Sequence, residues 1–236
     1  MDYISKYEIP DFPKRSLLKN MYVFDFCSKT ECDEMIKSAE LSAETHNGWR
    51  TKRHSRYPTT DIPLSYLNKN KNICWEQWFK KKVNEKIKPI LNQYYECNFL
   101  SFHDLFIVKY GGSGKNKALQ NGLDLHRDAS SCLLTCLITL NTGFQGGGTV
   151  VPALSEDLDK QIIINPVGSI FIHCSHLLHG GAKVFGNIPR YICVGFMKIE
   201  ALWINRIAYT TPKGELDDLT TLNRLELYED SEKNHK

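Results

Sequence analysis

Apolar positions along this 236-residue chain follow two different periods. In the first hundred residues or so they recur at helical spacing. Ser28-Lys29-Thr30-Glu31 has the serine and glutamate of a capping box and predicts a helix over Cys32 to Leu41. Ile73, Trp75, Trp78, Phe79, Val83, Ile87, Ile90, Leu91 and Tyr94 then share one helical face. Pro89 lies inside that run and predicts a kink or a break, because its ring crowds the preceding turn.

From about Asn98 the pattern shifts to short β-rich runs separated by turn residues. Leu105 to Tyr110 stops at Gly111-Gly112, and Cys132 to Leu140 stops at Asn141-Thr142-Gly143. Thr149 to Val151 follows three glycines, and Ile162 to Ile164 ends at Asn165-Pro166. Ser169 to Cys174, Ala182 to Phe185 and Arg190 to Met197 complete the set. Helices first and short strands afterwards predict a mainly β, α+β fold, with helices packed outside a double-sheet jelly roll. The chain divides into a helical support region, 1–97, a strand-rich core, 98–200, and an extension, 201–236. One single domain over all three is the alternative. Residues 229–236 read as a charged, frayed tail.

Composition narrows the function classes. A 42% hydrophobic and 24% charged chain is ordinarily globular. Its net charge of +3 is too small and dispersed to predict a nucleic-acid or anionic-membrane partner. No apolar run approaches a membrane span, and the first residues show no apolar signal region, so the expectation is a cytoplasmic or nuclear protein. The eight cysteines form no Cys-x-x-Cys pair and lie mostly in apolar stretches. They read as buried, reduced thiols.

Two stretches carry chemistry. The first is Leu125-His126-Arg127-Asp128. On an extended segment, residues two apart point to one side, so His126 and Asp128 can reach one ion. Alone the pair is unspecific, and a surface or turn pair reads the same way. The second is His179-Gly180-Gly181, followed by a strand that opens with Arg190. The glycines let the backbone pass close to something bulky. Along that strand Arg190, Ile192, Val194 and Phe196 share one face. An arginine heading an apolar strand is costly to bury without an anion, and its fork matches a carboxylate. The bland alternative is a structural salt bridge with an internal Asp or Glu. Two imidazoles and one carboxylate on one face of an ion are the donor set of non-haem Fe(II) oxygenases.

Phe106-Ile107-Val108-Lys109-Tyr110, His126-Arg127-Asp128, Leu140-Asn141, Phe144 through Thr149, His179-Gly180-Gly181 and Arg190 through Phe196 occur in one order over Phe102 to Ile199. In this the chain resembles the 2-oxoglutarate- and Fe(II)-dependent dioxygenases, in the branch of the prolyl 4-hydroxylases and procollagen lysyl hydroxylases. The resemblance implies a double-stranded β-helix, a jelly-roll, cupin-like barrel. It implies that His126, Asp128 and His179 bind iron and that Arg190 binds the distal carboxylate of 2-oxoglutarate. It matches Tyr110 to a tyrosine that hydrogen-bonds this co-substrate, and places Thr135 and Thr139 on a strand face lining the same pocket. Arg190 follows His179 by eleven residues, one more than is usual, and Asn187-Ile188-Pro189 makes the difference. Prolyl 4-hydroxylases commonly carry lysine at this position, so Arg190 leans toward the lysyl hydroxylases or a less characterised subgroup.

The activity so implied is hydroxylation of a C–H bond with O2, coupled to conversion of 2-oxoglutarate to succinate and CO2, with ascorbate as reductant. A prolyl or lysyl residue of a protein or peptide is the first substrate expectation. A free amino acid or other small molecule is the second, and a nucleic-acid base is disfavoured by the lack of a basic stripe. A non-catalytic metal-binding β-barrel is the rival from another class. His173 and His176 compete with His179 by spacing, but only His179 has both the glycines and the distance to Arg190. Gly146-Gly147-Gly148 lacks the Lys-Ser/Thr of a phosphate loop and reads as a bulged strand connection. The stretch 49–61 reads equally as a substrate-side loop or a packed surface loop. The oligomeric state is open.

Overall fold

The computed structural model describes residues 3–8, 20–46, 48–69, 73–89, 101–113, 118, 120–128, 134–152, 162–175 and 177–198. Ile90, Leu91, Tyr94, Cys97, Cys132, His176, His235 and the extension 201–236 lie outside these residues.

Two strands that the apolar spacing does not predict come first, β1 (Tyr3–Glu8) and β2 (Asn20–Asp25). Helix α1 (Lys29–Thr45) follows and runs past the predicted end at Leu41. Its capping box forms as expected: the Glu31 amide donates to the Ser28 hydroxyl at 3.2 Å, and the Ser28 amide donates to the Glu31 carboxylate at 2.8 Å. Strand β3 (Asp61–Pro63), a 3-10 segment (Leu64–Lys69) and helix α2 (Trp75–Lys82) come next. Just ahead of Pro89, α2 opens into a π turn, Val83–Ile87, and the widened turn takes the place of the expected kink.

The remaining strands are β4 (Ser101–Tyr110), β5 (Leu123–His126), β6 (Leu134–Thr139), β7 (Gln145–Gly146), β8 (Thr149–Val150), β9 (Ile162–Ile163), β10 (Ser169–Cys174), β11 (His179–Gly181), β12 (Val184–Phe185) and β13 (Arg190–Lys198). The stretch expected as one strand over 182–185 is shorter, because Ala182 and Lys183 separate β11 from β12 and send them to different sheets. A seven-stranded sheet runs β1-β2-β10-β6-β13-β4-β3, and a four-stranded sheet runs β5-β11-β8-β9. All their pairings are antiparallel. This is the predicted mainly β architecture with flanking helices, a double-stranded β-helix. The segment expected to be helical support also supplies β1, β2 and β3 to the large sheet.

The large sheet is buried on both faces, so alternate residues enter two different cores. Leu105, Ile107, Cys136, Ile138, Tyr191 and Cys193 pack with Met35 and Ala39 of α1 and with Trp75 and Phe79 of α2. Phe106, Val108, Leu137, Ile192 and Val194 face the small sheet instead, with Met21 and Val23 of β2 beside them. Double burial makes these strands read as nearly continuous apolar runs. Cys27, Cys32, Cys74, Cys136 and Cys193 carry free thiols, and burial pushes the Cys136 and Cys193 thiols up. Among the described residues no helix is long and apolar enough to cross a membrane.

One charge sits inside the helix-side core. Lys109 is 1% exposed. Its Nζ lies 2.8 Å from Glu40 Oε1 on α1, and 5.0 Å from the ring centre of Trp49. Tyr191 donates to the same carboxylate oxygen, and Trp49 Nε1 donates to the other at 3.3 Å. Glu40 therefore ties α1 to β4, β13 and the loop after α1. Removing one partner of such a pair leaves the other charge uncompensated. Glu40→Ala should lower unfolding free energy by about 3 kcal/mol in urea titrations. Lys109→Met combined with Glu40→Gln should recover part of that loss.

Candidate active site

Strand pairing brings the two histidines together. In the β5–β11 ladder His126 stands opposite His179, and their ring centres are 4.5 Å apart. Glycine is required beside them, because a Cβ on Gly180 would lie 2.8 Å from the Leu123 carbonyl oxygen. The bulky neighbour anticipated from Gly180-Gly181 is thus strand β5. Asp128 lies just beyond β5, where its amide donates to the Ser175 carbonyl at 2.9 Å. Asp128 Oδ1 is 3.5 Å from His126 Nε2, and Oδ2 is 3.7 Å from His179 Nε2. One donor atom from each of the three lies within 4.8 Å of the others.

The histidine tautomers follow from the backbone. His126 Nδ1 faces the Asp124 carbonyl at 2.8 Å, and His179 Nδ1 faces the Leu177 carbonyl at 2.9 Å. A carbonyl only accepts, so each Nδ1 carries the proton in the neutral ring. Each Nε2 then offers a lone pair to the same point, the arrangement a metal-binding histidine needs. Burial alone would raise the Asp128 pKa, but His179, His126, His173 and the Thr135 hydroxyl outweigh it and hold the carboxyl at about 2. Burial disfavours the His126 imidazolium, yet the Asp128 carboxylate outweighs that and raises its pKa. Burial lowers the His179 pKa. Two neutral Nε2 atoms and an ionised carboxylate fit a divalent transition ion.

A cavity of about 780 Å³ opens from this cluster. Arg190, Ile192, Val194 and Phe196 all line it, as the alternation along β13 predicts. Arg190 is 5% exposed and lies across from Tyr110 in the β13–β4 ladder, its guanidinium 5.7 Å from the tyrosine ring centre. Among the described residues no carboxylate pairs with it, and burial lowers its pKa. Burial pushes the Tyr110 hydroxyl up to about 12, with Arg190 opposing, so the phenol is neutral at ordinary pH. Asn187, Ile188 and Pro189 lie in the loop ahead of β13. Gly146, Gly147 and Gly148 all have positive φ, and a Cβ on Gly147 would crowd Phe144 at 2.8 Å and Arg190 Cδ at 3.2 Å. The glycine run is a strand connection that makes room for Arg190.

Thr135 lines the cavity, and its hydroxyl donates to Asp128 Oδ2. Thr139 is buried on the same strand face but lies outside the cavity wall. His173 is buried in β10 with its ring 4.4 Å from that of His179, and it is not one of the three converging donors. The 49–61 stretch supplies Arg53 through Tyr57 and Thr59 to the wall. Arg53 anchors it with bonds of 2.5 Å to both Asp61 and Asp104, and the Tyr57 ring centre stands 4.7 Å from that of His126. Ser175 was not legible in advance: nothing in a lone serine after a strand marks it.

No protein-family model and no curated protein matches the chain. Solved structures do. The viral collagen prolyl hydroxylase of Paramecium bursaria Chlorella virus-1, in its 2OG complex, is similar over 75% of this chain and 95% of its own, at 18% identity and TM-score 0.52. A Pseudomonas putida prolyl-4-hydroxylase is similar over 82% of this chain and 97% of its own, at 11% identity and TM-score 0.54. AviO1 from Streptomyces viridochromogenes is similar over 82% and 94%, at 11% identity and TM-score 0.55. The chain therefore has the double-stranded β-helix fold of the 2-oxoglutarate/Fe(II) oxygenases, prolyl hydroxylases among them.

Losing one of three ligands should cost more than the roughly 10–100-fold that losing an outer partner costs. His126→Ala and His179→Ala should each weaken Fe(II) binding by more than about a hundredfold in anaerobic titrations, while His176→Ala should leave it within a few-fold. The raised His126 pKa sets the pH dependence. Below it a proton occupies Nε2 and competes with the metal, so affinity should climb with pH through the His126 titration and then level off. Fe(II) affinity measured from acid to mildly alkaline pH checks this.

Proposed function

We propose that the protein is a 2-oxoglutarate- and Fe(II)-dependent dioxygenase that hydroxylates a C–H bond of a prolyl residue in a protein or peptide. The observation that carries the reading is Arg190. It is a buried guanidinium on the wall of the cavity that holds three converging metal donors, and no carboxylate pairs with it among the described residues. Burying that charge is unfavourable unless an anion arrives. A dicarboxylic keto acid meets the need, with its distal carboxylate on the guanidinium fork and its keto acid end at the metal.

His126, Asp128 and His179 would hold Fe(II) on one face and leave the opposite positions open. The bound iron supplies the oxygen chemistry, and ascorbate keeps it reduced. The chain's own residues bind, orient and keep the site dry. Tyr110 retains its proton and can donate it to the co-substrate carboxylate. Phe106, Val108, Leu137, Ile192 and Val194 give the cavity an apolar lining that excludes stray water. Thr139, outside the wall, is not part of this proposal.

The wall also bears on the substrate. Arg56 and Arg127 line the cavity, and neither pairs with a carboxylate among the described residues. A lysyl ammonium entering the site would pass both of these cations. An uncharged prolyl ring meets no such repulsion.

The test is incubation of the purified protein with Fe(II), 2-oxoglutarate and ascorbate, against prolyl peptides, lysyl peptides and free amino acids. A one-oxygen mass gain on prolyl peptides, coupled to succinate release, is the expected result. Gain on free amino acids alone would replace the peptide substrate with a small molecule, and no succinate under any condition would leave a metal-binding barrel. Arg190→Ala should raise the KM for 2-oxoglutarate by at least roughly tenfold, the equivalent of about 1.4 kcal/mol, with iron content nearly unchanged. Arg190→Lys should fall between, since it restores charge without the fork.

A further inference from the structure

We propose that Thr135 and Ser175 form a hydroxyl relay that positions Asp128, holding back one carboxylate oxygen so that the other is offered to the metal. The inference rests on the iron-site reading given above and goes beyond it, to residues that do not touch the metal. Both hydroxyls are sealed from solvent: Thr135 is 1% exposed and Ser175 0%. Thr135 sits on β6, and Ser175 immediately follows β10, its neighbour in the large sheet. Asp128 belongs to the segment after β5, in the small sheet. The relay therefore crosses from one sheet to the other at the metal site.

The direction of each bond is forced. Thr135 Oγ1 is hydrogen-bonded to Asp128 Oδ2. Threonine is the donor in this bond, and a carboxylate oxygen accepts it. The single threonine proton is thereby committed to Oδ2. Thr135 Oγ1 also lies 3.2 Å from Ser175 Oγ, and with its own proton spent it can only accept there. Ser175 must donate. The Ser175 carbonyl also takes the Asp128 amide at 2.9 Å, so one residue grips both the backbone and, through Thr135, the side chain of the ligand.

A charge-assisted donor on Oδ2 draws density from that oxygen and resists rotation of the carboxylate. Oδ1 remains the better ligand atom. A carboxylate free to rotate can chelate with both oxygens and occupy a position that two incoming groups need. Thr135 and Ser175 are positioning residues in this scheme, since they act through Asp128.

The full chain, stripped of metal and titrated anaerobically with Co(II), tests the relay without turnover. Thr135→Val keeps the side-chain shape and removes the proton. It should weaken Co(II) binding by about 10–100-fold, as loss of an outer partner does, and alter the ligand-field absorption of the saturated protein. Thr135→Ser returns a hydroxyl and should restore both within a few-fold. Ser175→Ala should weaken binding less than Thr135→Val, and it serves as the second variant if the valine protein does not fold. Wild-type affinity together with an unchanged spectrum in Thr135→Val overturns the proposal. The same result in Ser175→Ala alone removes Ser175 from it. A wild-type protein that binds no Co(II) overturns the metal-centre reading itself, and the relay with it.

Discussion

The antiparallel pairing of β5 with β11 is the constraint on which the site depends. It sets His126 opposite His179 and turns both Nε2 atoms toward one point. Small residues make the approach possible, because a side chain at Gly180 would collide with the β5 backbone. The third donor is not in that ladder. Asp128 is delivered by a backbone bond to Ser175, at the end of β10 in the other sheet. The proposed metal site thus lies at a seam between two sheets.

Three cations, Lys109 and Arg190 buried and Arg53 half-buried, show how the fold separates structure from binding. Lys109 meets Glu40 between the helices and the large sheet, and Arg53 meets Asp61 and Asp104 under the loop that walls the cavity. Both are matched within the protein and brace it. Arg190, on the face of β13 opposite to Tyr191, has a tyrosine ring and a glycine run beside it, and among the described residues no acid pairs with it. That contrast, and not burial alone, is what supports the ligand-binding role proposed for Arg190.

Much of the core was legible because strand alternation is a local property. Arg190, Ile192, Val194 and Phe196 could be assigned to one face from spacing, and the structure puts all of them on the cavity wall. The capping box at Ser28 was legible for the same reason. Strands β1 and β2 were not legible in the apolar spacing, which in that part of the chain reads as helical. Thr139 shares the parity of Thr135 but lies outside the wall, because parity gives a direction and not a depth.

The sequence by itself determined the donor types, their order and the strand faces from which they project, because these follow from residue chemistry and from two-residue periodicity. Only the tertiary structure decided which histidine nitrogen is free, which buried arginine meets no carboxylate among the described residues, and that Ser175, from the other sheet, holds the Asp128 backbone. Each of these depends on what a side chain meets across the seam between the sheets. Such meetings are set by the packing of whole strands, and no short stretch of sequence contains both sides of the contact.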